Sequence, residues 1–281
     1  MFTPQEIEVL KLQFDTHGFV HLRQIIPDAQ LRRLHTAFGQ AAVRARAPTA
    51  AQAKKVGMGY FDIPQVLDQD PAFVDLVDMD SIFPLLVALV GDDIQLTQTA
   101  ARLFYPGVTF TAPFHSDLAH VTGFSHEHSL NFLTKVHYYL EDLAPDQGCL
   151  AFIPGSHRLP AGYPRPASLR DEHSAAVVKI VPQAGDAIIF NTHVMHMALD
   201  NKSATVRKSI IYAFSHFWMK QYKSAIPADL GRFTCRQRKQ LFGVEEDDTP
   251  HFNRRLTDAT PGPARQAVDS VKRVIRKLVR A

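Results

Sequence analysis

Six short apolar runs, at residues 94–105, 131–140, 149–153, 177–181, 186–190 and 208–217, follow one another through the middle of the chain. Between them stand turn formers: Tyr105-Pro106-Gly107, Pro145-Asp146-Gln147-Gly148, Pro154-Gly155 and Ala184-Gly185-Asp186. Proline presets φ and glycine admits positive φ, so each cluster ends one run and reverses the chain before the next. Strand-length runs punctuated in this way predict a β-sandwich or barrel.

The residues before Ile94 have a different pattern. Thr3, Pro4 and Glu6 form a capping-box signature and predict a helix over residues 4–15. His17-Gly18 breaks it, Phe19–Ile26 reads as a strand, and Pro27-Asp28 opens a second helix to about Val43. Residues 47–62 are weakly patterned and read as a loop, while residues 71–90 return to helical apolar spacing. Past residue 222 the chain is helical and charged, with an acidic loop at Glu245–Asp248. No repeat divides the sequence, and 281 residues suit one large domain. The expected organisation is a single domain over residues 1–281: a helical α+β part (1–93), a mostly β core (94–220) and a helical extension (221–281).

Composition narrows the function classes. Hydrophobic residues make up 46% and charged residues 21%, within the range of chains that bury a core. The net charge of +3 arises from 31 basic and 28 acidic residues that are interleaved, which makes no case for a nucleic-acid partner. Cys149 and Cys235 form no C-x-x-C pair, so neither a disulfide framework nor a thiolate zinc site is expected. The N-terminus lacks a signal-peptide pattern and no apolar stretch reaches the ~18 residues of a membrane helix, so a cytoplasmic location is expected.

His115-Ser116-Asp117 carries the chemistry. Side chains at i and i+2 of a strand leave the same face and can share one cation. With 14 histidines in the chain a lone H-x-D is a weak signal. A third ligand can come from Asn191-Thr192-His193-Val194-Met195-His196, just past an apolar strand. Two histidines and a carboxylate on one face of Fe(II) leave three positions for a bidentate 2-oxo acid and O2.

In addition, the chain resembles the phytanoyl-CoA dioxygenase family of 2-oxoglutarate oxygenases. The resemblance rests on Gly18–Leu22, Phe114–Asp117, Leu140–Leu150, Ile153–His157, Ala184–Asp186, His196 and Arg207, in that order. It implies a double-stranded β-helix (jelly-roll, cupin-like) core with flanking helices, and Fe(II), 2-oxoglutarate and O2 as cofactor and cosubstrates. By the same resemblance His115, Asp117 and His196 are the ligands, with His193 outside the set, and Arg207 grips the far carboxylate of 2-oxoglutarate. Gln98, Arg102 and Thr134 fall where relatives contact substrate or cosubstrate; each also reads as a packing residue. The hydroxyl that relatives often place two residues after the distal histidine is missing, because the residue there is Ala198. Hydroxylation of a small molecule with release of succinate and CO2 is the expected reaction; Asp117 occupies the position that related halogenases vacate, which disfavours chlorination, while desaturation, epoxidation, ring closure and demethylation stay open.

Two rivals remain at this level: a metal cupin acting without 2-oxoglutarate, and a binding protein without turnover. His126-Glu127-His128 reads as a loop over the site and Ser156 as the cap of a tight turn. At the C-terminus, Val271, Val274, Ile275, Leu278 and Val279 form an apolar helical stripe and Lys272, Arg273, Arg276, Lys277 and Arg280 a basic one. Such a stripe suits a peripheral membrane helix, but packing on the body or on a partner subunit is the ordinary behaviour of an amphipathic helix and is the preferred reading.

Overall fold

The computed structural model describes residues 2–91, 94–108, 114–116, 131–159, 175–219, 226–231 and 241–243. Asp117, His126, His128, Cys235, the acidic loop and the C-terminal stripe lie outside the described residues.

Helix α1 (Pro4–His17) starts where the capping box places it: Thr3 Oγ1 accepts from Glu6 N–H, and Thr3 N–H donates to the Glu6 carboxylate at 2.7 Å. It ends on Gly18 at φ 87°, a left-handed conformation open to glycine at little cost. Strand β1 (Phe19–Leu22) is shorter than the expected run to Ile26, because Gln24 turns at φ 49° and its N–H is captured by the Asp186 carboxylate at 2.8 Å. Helix α2 (Asp28–Arg44) then buries Leu34, Ala37, Phe38 and Ala41 along one stripe.

The expected loop over 47–62 holds two elements. A second capping box, Thr49 with Gln52, nucleates α3 (Ala50–Lys55), and β2 (Tyr60–Ile63) pairs with the long strand β3 (Ile94–Phe104). A strand of only four residues depends on a partner elsewhere in the chain, so local pattern does not announce it. Helices α4 (Val66–Gln69), α5 (Pro71–Val74) and the all-apolar α6 (Phe83–Val90) complete this part.

The six runs from Ile94 become β3, β4 (Leu133–Tyr139), β5 (Leu150–Phe152), β6 (Val178–Ile180), β7 (Ala187–Asn191) and β9 (Arg207–His216), with β8 (His196–Ala198) as an additional short strand. A six-stranded antiparallel sheet has the order β1-β7-β4-β9-β3-β2 and faces a three-stranded sheet, β6-β5-β8. This is the double-stranded β-helix with flanking helices that the resemblance implied.

Alternation along the large sheet separates two apolar layers. Val136, Tyr138, Ile189, Ile210, Tyr212 and Phe214 pack outward against the helices. Phe19, Tyr139, Ile188 and Phe190 point inward and meet Leu150 and Phe152 of the small sheet. The space between the sheets is where polar side chains become informative.

Candidate metal centre

His115 and His196 are brought together by the backbone. They form an antiparallel bridge in which His115 N–H donates to His196 O at 3.1 Å and His196 N–H to His115 O at 3.0 Å. Paired residues of this kind project their side chains to one face, and the two imidazole centroids lie 4.7 Å apart. The Val194 carbonyl lies 2.9 Å from His196 Nδ1. A carbonyl only accepts, so the proton resides on Nδ1 and the lone pair on Nε2, the state a metal-binding histidine requires.

The ring of His196 is held by aromatic walls: Phe190 at 4.7 Å between centroids and Phe152, stacked, at 6.1 Å. Ser156 fixes the turn leading into it. Its hydroxyl donates to Ile153 O at 2.6 Å and accepts from Met195 N–H at 2.8 Å. Gly18 closes the same turn from outside, for a Cβ there would come within 2.8 Å of Val194 Cβ and 2.7 Å of His157 Nδ1. Asp117, the third expected ligand, is outside the described residues, and among the described residues no group of three metal-binding side chains occurs. His193 is engaged with Asn191, whose Oδ1 accepts from its N–H at 2.9 Å.

Arg207 opens β9 and is 1% exposed. Its guanidinium donates to Gly148 O and lies 4.5 Å over the Phe104 ring. Neither contact supplies negative charge, no carboxylate within ion-pair distance is found among the described residues, and its Nε is buried without a hydrogen-bond partner. Burial pulls its pKa down from the ordinary guanidinium value.

On the strands of the large sheet, His137 Nδ1, Tyr139 Oη and Ser209 Oγ are also buried without hydrogen-bond partners among the described residues. All belong to the inward face, since Tyr139 pairs with Ser209 and His137 with Ile211 across β4 and β9. Burial, then the charges of Arg207, Lys135 and Arg102 and the His196 ring, hold His137 well below the usual imidazole range, so it is neutral. Burial raises the Tyr139 hydroxyl, which stays protonated and able to donate.

The other expected contacts divide. Gln98 and Arg102 share this inward face, opposite Ala213 and Ser209. Arg102 already makes a bidentate pair with Asp62 at 2.7 and 2.8 Å and lies 4.0 Å over the Tyr60 ring. Thr134 is a correction. It pairs with Phe214 and Asn191 on the outward face and donates to Asn131 Oδ1 at 2.9 Å, because strand alternation sends it away from Lys135, His137 and Tyr139. Sequence reasoning passed over Ser209, although its spacing of two from Arg207 gives it the same face, and Asp62, which no local pattern marks.

The family model for Phytanoyl-CoA dioxygenase (PhyH) matches residues 14–209. No curated protein matches the chain in sequence. Among solved structures, HygX from Streptomyces hygroscopicus with nickel and 2-oxoglutarate bound is similar with a TM-score of 0.62 and 14% identity, over 82% of this chain and 93% of that one. The epimerase SnoN in complex with Fe3+, alpha ketoglutarate and nogalamycin RO has a TM-score of 0.59 and 18% identity, over 76% and 85% of the two chains. For the alpha ketoglutarate dependent carbocyclase SnoK from nogalamycin biosynthesis the values are 0.58 and 16%, over 83% and 91%. These likenesses are likenesses of fold. Together with the family match over residues 14–209, they agree with the two-sheet architecture built above, and the chain belongs to the phytanoyl-CoA dioxygenase family.

Proposed function

We propose that this protein is an Fe(II)- and 2-oxoglutarate-dependent oxygenase of a small-molecule substrate, with His115, Asp117 and His196 as metal ligands and Arg207 as the anchor of the cosubstrate. The observation that carries this reading is Arg207. A guanidinium 1% exposed, with a partnerless Nε and no anion beside it among the described residues, is costly to keep unless an anionic ligand completes it. A planar fork of N–H groups suits a carboxylate bound bidentately.

The residues present fit the metal as well. Two imidazoles paired across one backbone bridge, one with its Nε2 lone pair set by Val194 O, make a nitrogen donor pair, to which Asp117 two residues on would add oxygen. Bound there, iron and 2-oxoglutarate would supply oxidative decarboxylation, in which O2 and the 2-oxo acid give succinate and CO2 while a substrate C–H bond becomes C–OH. The chain's part is positional. Phe152 and Phe190 hold the His196 ring and exclude water from its side of the site, Arg207 fixes the far end of the cosubstrate, and neutral His137 leaves the positive charge between the sheets to Arg207, Lys135 and Arg102.

Two structural neighbours are an epimerase and a carbocyclase by their names, so epimerisation or ring closure is the second reading. Product mass separates the outcomes: hydroxylation adds one oxygen, ring closure removes two hydrogens and epimerisation changes neither. Anaerobic titration of the Fe(II)-loaded protein with 2-oxoglutarate tests the assignment through the visible metal-to-ligand charge-transfer band. Wild type should show the band, His196→Ala should lose it, and Arg207→Ala should require cosubstrate higher on the order of 100-fold. Folded, iron-loaded wild type without the band would overturn the 2-oxoglutarate reading in favour of a metal cupin.

A further inference from the structure

Resting on the reading of His115, Asp117 and His196 as the metal centre, we infer that Trp218 is a specificity-determining residue, whose indole is the stacking platform for a flat, uncharged aromatic ring of the substrate. Trp218 is the single tryptophan of the chain and is 60% exposed. A large aromatic face is costly to leave in water, so one that is both exposed and firmly held marks a place where a ligand binds.

The side chain is held from several directions. It sits in a turn at the end of β9, closed by Met219 N–H donating to His216 O at 3.0 Å. The buried amide of Gln95 pins both ends of that turn, its Nε2 donating to His216 O at 3.1 Å and to Met219 O. The His216 ring stacks on the indole, with 4° between the ring planes and 5.5 Å between centroids. Its Nε2 lies 3.2 Å from Asn131 O; a carbonyl only accepts, so that nitrogen carries the proton and the imidazole is fixed in place.

Position makes this platform part of the site. Phe132 meets Trp218 at 87° with 6.1 Å between centroids, and the same ring lies 6.1 Å from His193, in the segment that delivers His196. Next to Phe132, the Leu133 carbonyl accepts from Thr192 N–H and Thr192 Oγ1, both at 3.0 Å. The Thr192 carbonyl in turn accepts from Ser116 Oγ at 3.2 Å, between His115 and Asp117. Trp218, Phe132 and His193 thus form one aromatic wall from solvent to both metal-binding segments. Because His216 uses its N–H on a backbone carbonyl, the outer wall offers ring faces and edges, which select flatness through offset stacking. A cation would also be drawn to an indole face, but Arg207, Lys135 and Arg102 already place positive charge between the sheets and disfavour one.

The test uses the intact 281-residue protein loaded with Mn(II) and 2-oxoglutarate, with 2-naphthol as the flat probe and decahydro-2-naphthol as its saturated counterpart. 2-Naphthol should quench the emission of Trp218 and, by calorimetry, bind about tenfold more tightly than the saturated alcohol. Trp218→Ala should abolish that preference and Trp218→Phe should keep most of it, with Mn(II) affinity the same in both variants. Mn(II) should also speed the proton relaxation of bound 2-naphthol, an effect absent from Zn(II)-loaded protein, which places the probe beside the metal. Equal affinity for the two alcohols, no binding of either, or a preference that survives in Trp218→Ala would overturn the inference. Binding at Trp218 without the Mn(II) effect would overturn it too, marking the indole as a contact for another macromolecule. Wild type that binds neither Mn(II) nor 2-oxoglutarate would remove the metal centre and the inference with it, a failure seen before any probe is added.

Discussion

Arg207 is placed against its own stability. An uncompensated charge between two sheets opposes folding, and substituting a buried ion by an apolar side chain of similar volume is often neutral or stabilising. Arg207→Met should leave the metal-free, cosubstrate-free protein within about 1 kcal/mol of wild type, or above it, while abolishing 2-oxoglutarate binding. Denaturant unfolding of both proteins checks this; a loss of about 3–5 kcal/mol would reveal a structural counter-ion instead. His137 gives a pH signature at the same scale. Burial and the surrounding cations keep it neutral in the fold, whereas in the unfolded chain it titrates near its ordinary value, about 6.5. The unfolded state thus takes up the proton first as pH falls. Its contribution is fully present above about pH 6.5 and declines below it, by up to ~1.4 kcal/mol per pH unit. In metal-free protein, His137→Gln should flatten the stability curve between about pH 6.5 and 5 by about one proton, and an unchanged slope would mean that the ring is already charged in the fold.

Elements meet at the turn that delivers His196. The end of α1, the Pro154–His157 segment and the Val194-Met195 turn are packed without room for a methyl group at Gly18, whose φ of 87° is also unfavourable for alanine. Gly18→Ala should cost about 2–4 kcal/mol of stability, from left-handed backbone strain and overpacking together. Because the atoms displaced belong to Val194, whose carbonyl orients His196, metal affinity should fall as well. Ser156→Ala is milder. It strands Met195 N–H without its acceptor, and should lower stability by about 1–2 kcal/mol and weaken metal binding, measured by competition with a chelator. Metal affinity unaltered in both variants would show that the turn does not position the ligand.

At the scale of the whole molecule, the N-terminal part and the β core share one interior. β1 and β2, both from the first 93 residues, form the two edges of the six-stranded sheet, and one apolar layer joins α1, α2 and α6 to β3, β4, β7 and β9. Calorimetry of the metal-free protein should therefore give one transition with equal calorimetric and van't Hoff enthalpies; two transitions would mean that the front folds apart from the core. The sequence by itself determined what local chemistry decides: the capping box at Thr3 and the turn signals that divide the strands. Tertiary pairing decided the rest. It joins His115 to His196 across 81 residues of chain, sends Thr134 outward while Tyr139 and Ser209 face in, and gives Arg102 its partner Asp62 in a segment that reads as loop. Periodicity says only that alternate residues share a face. Which face becomes the interior is set by the strand that pairs beside it and the layer that covers it, and both come from distant parts of the chain.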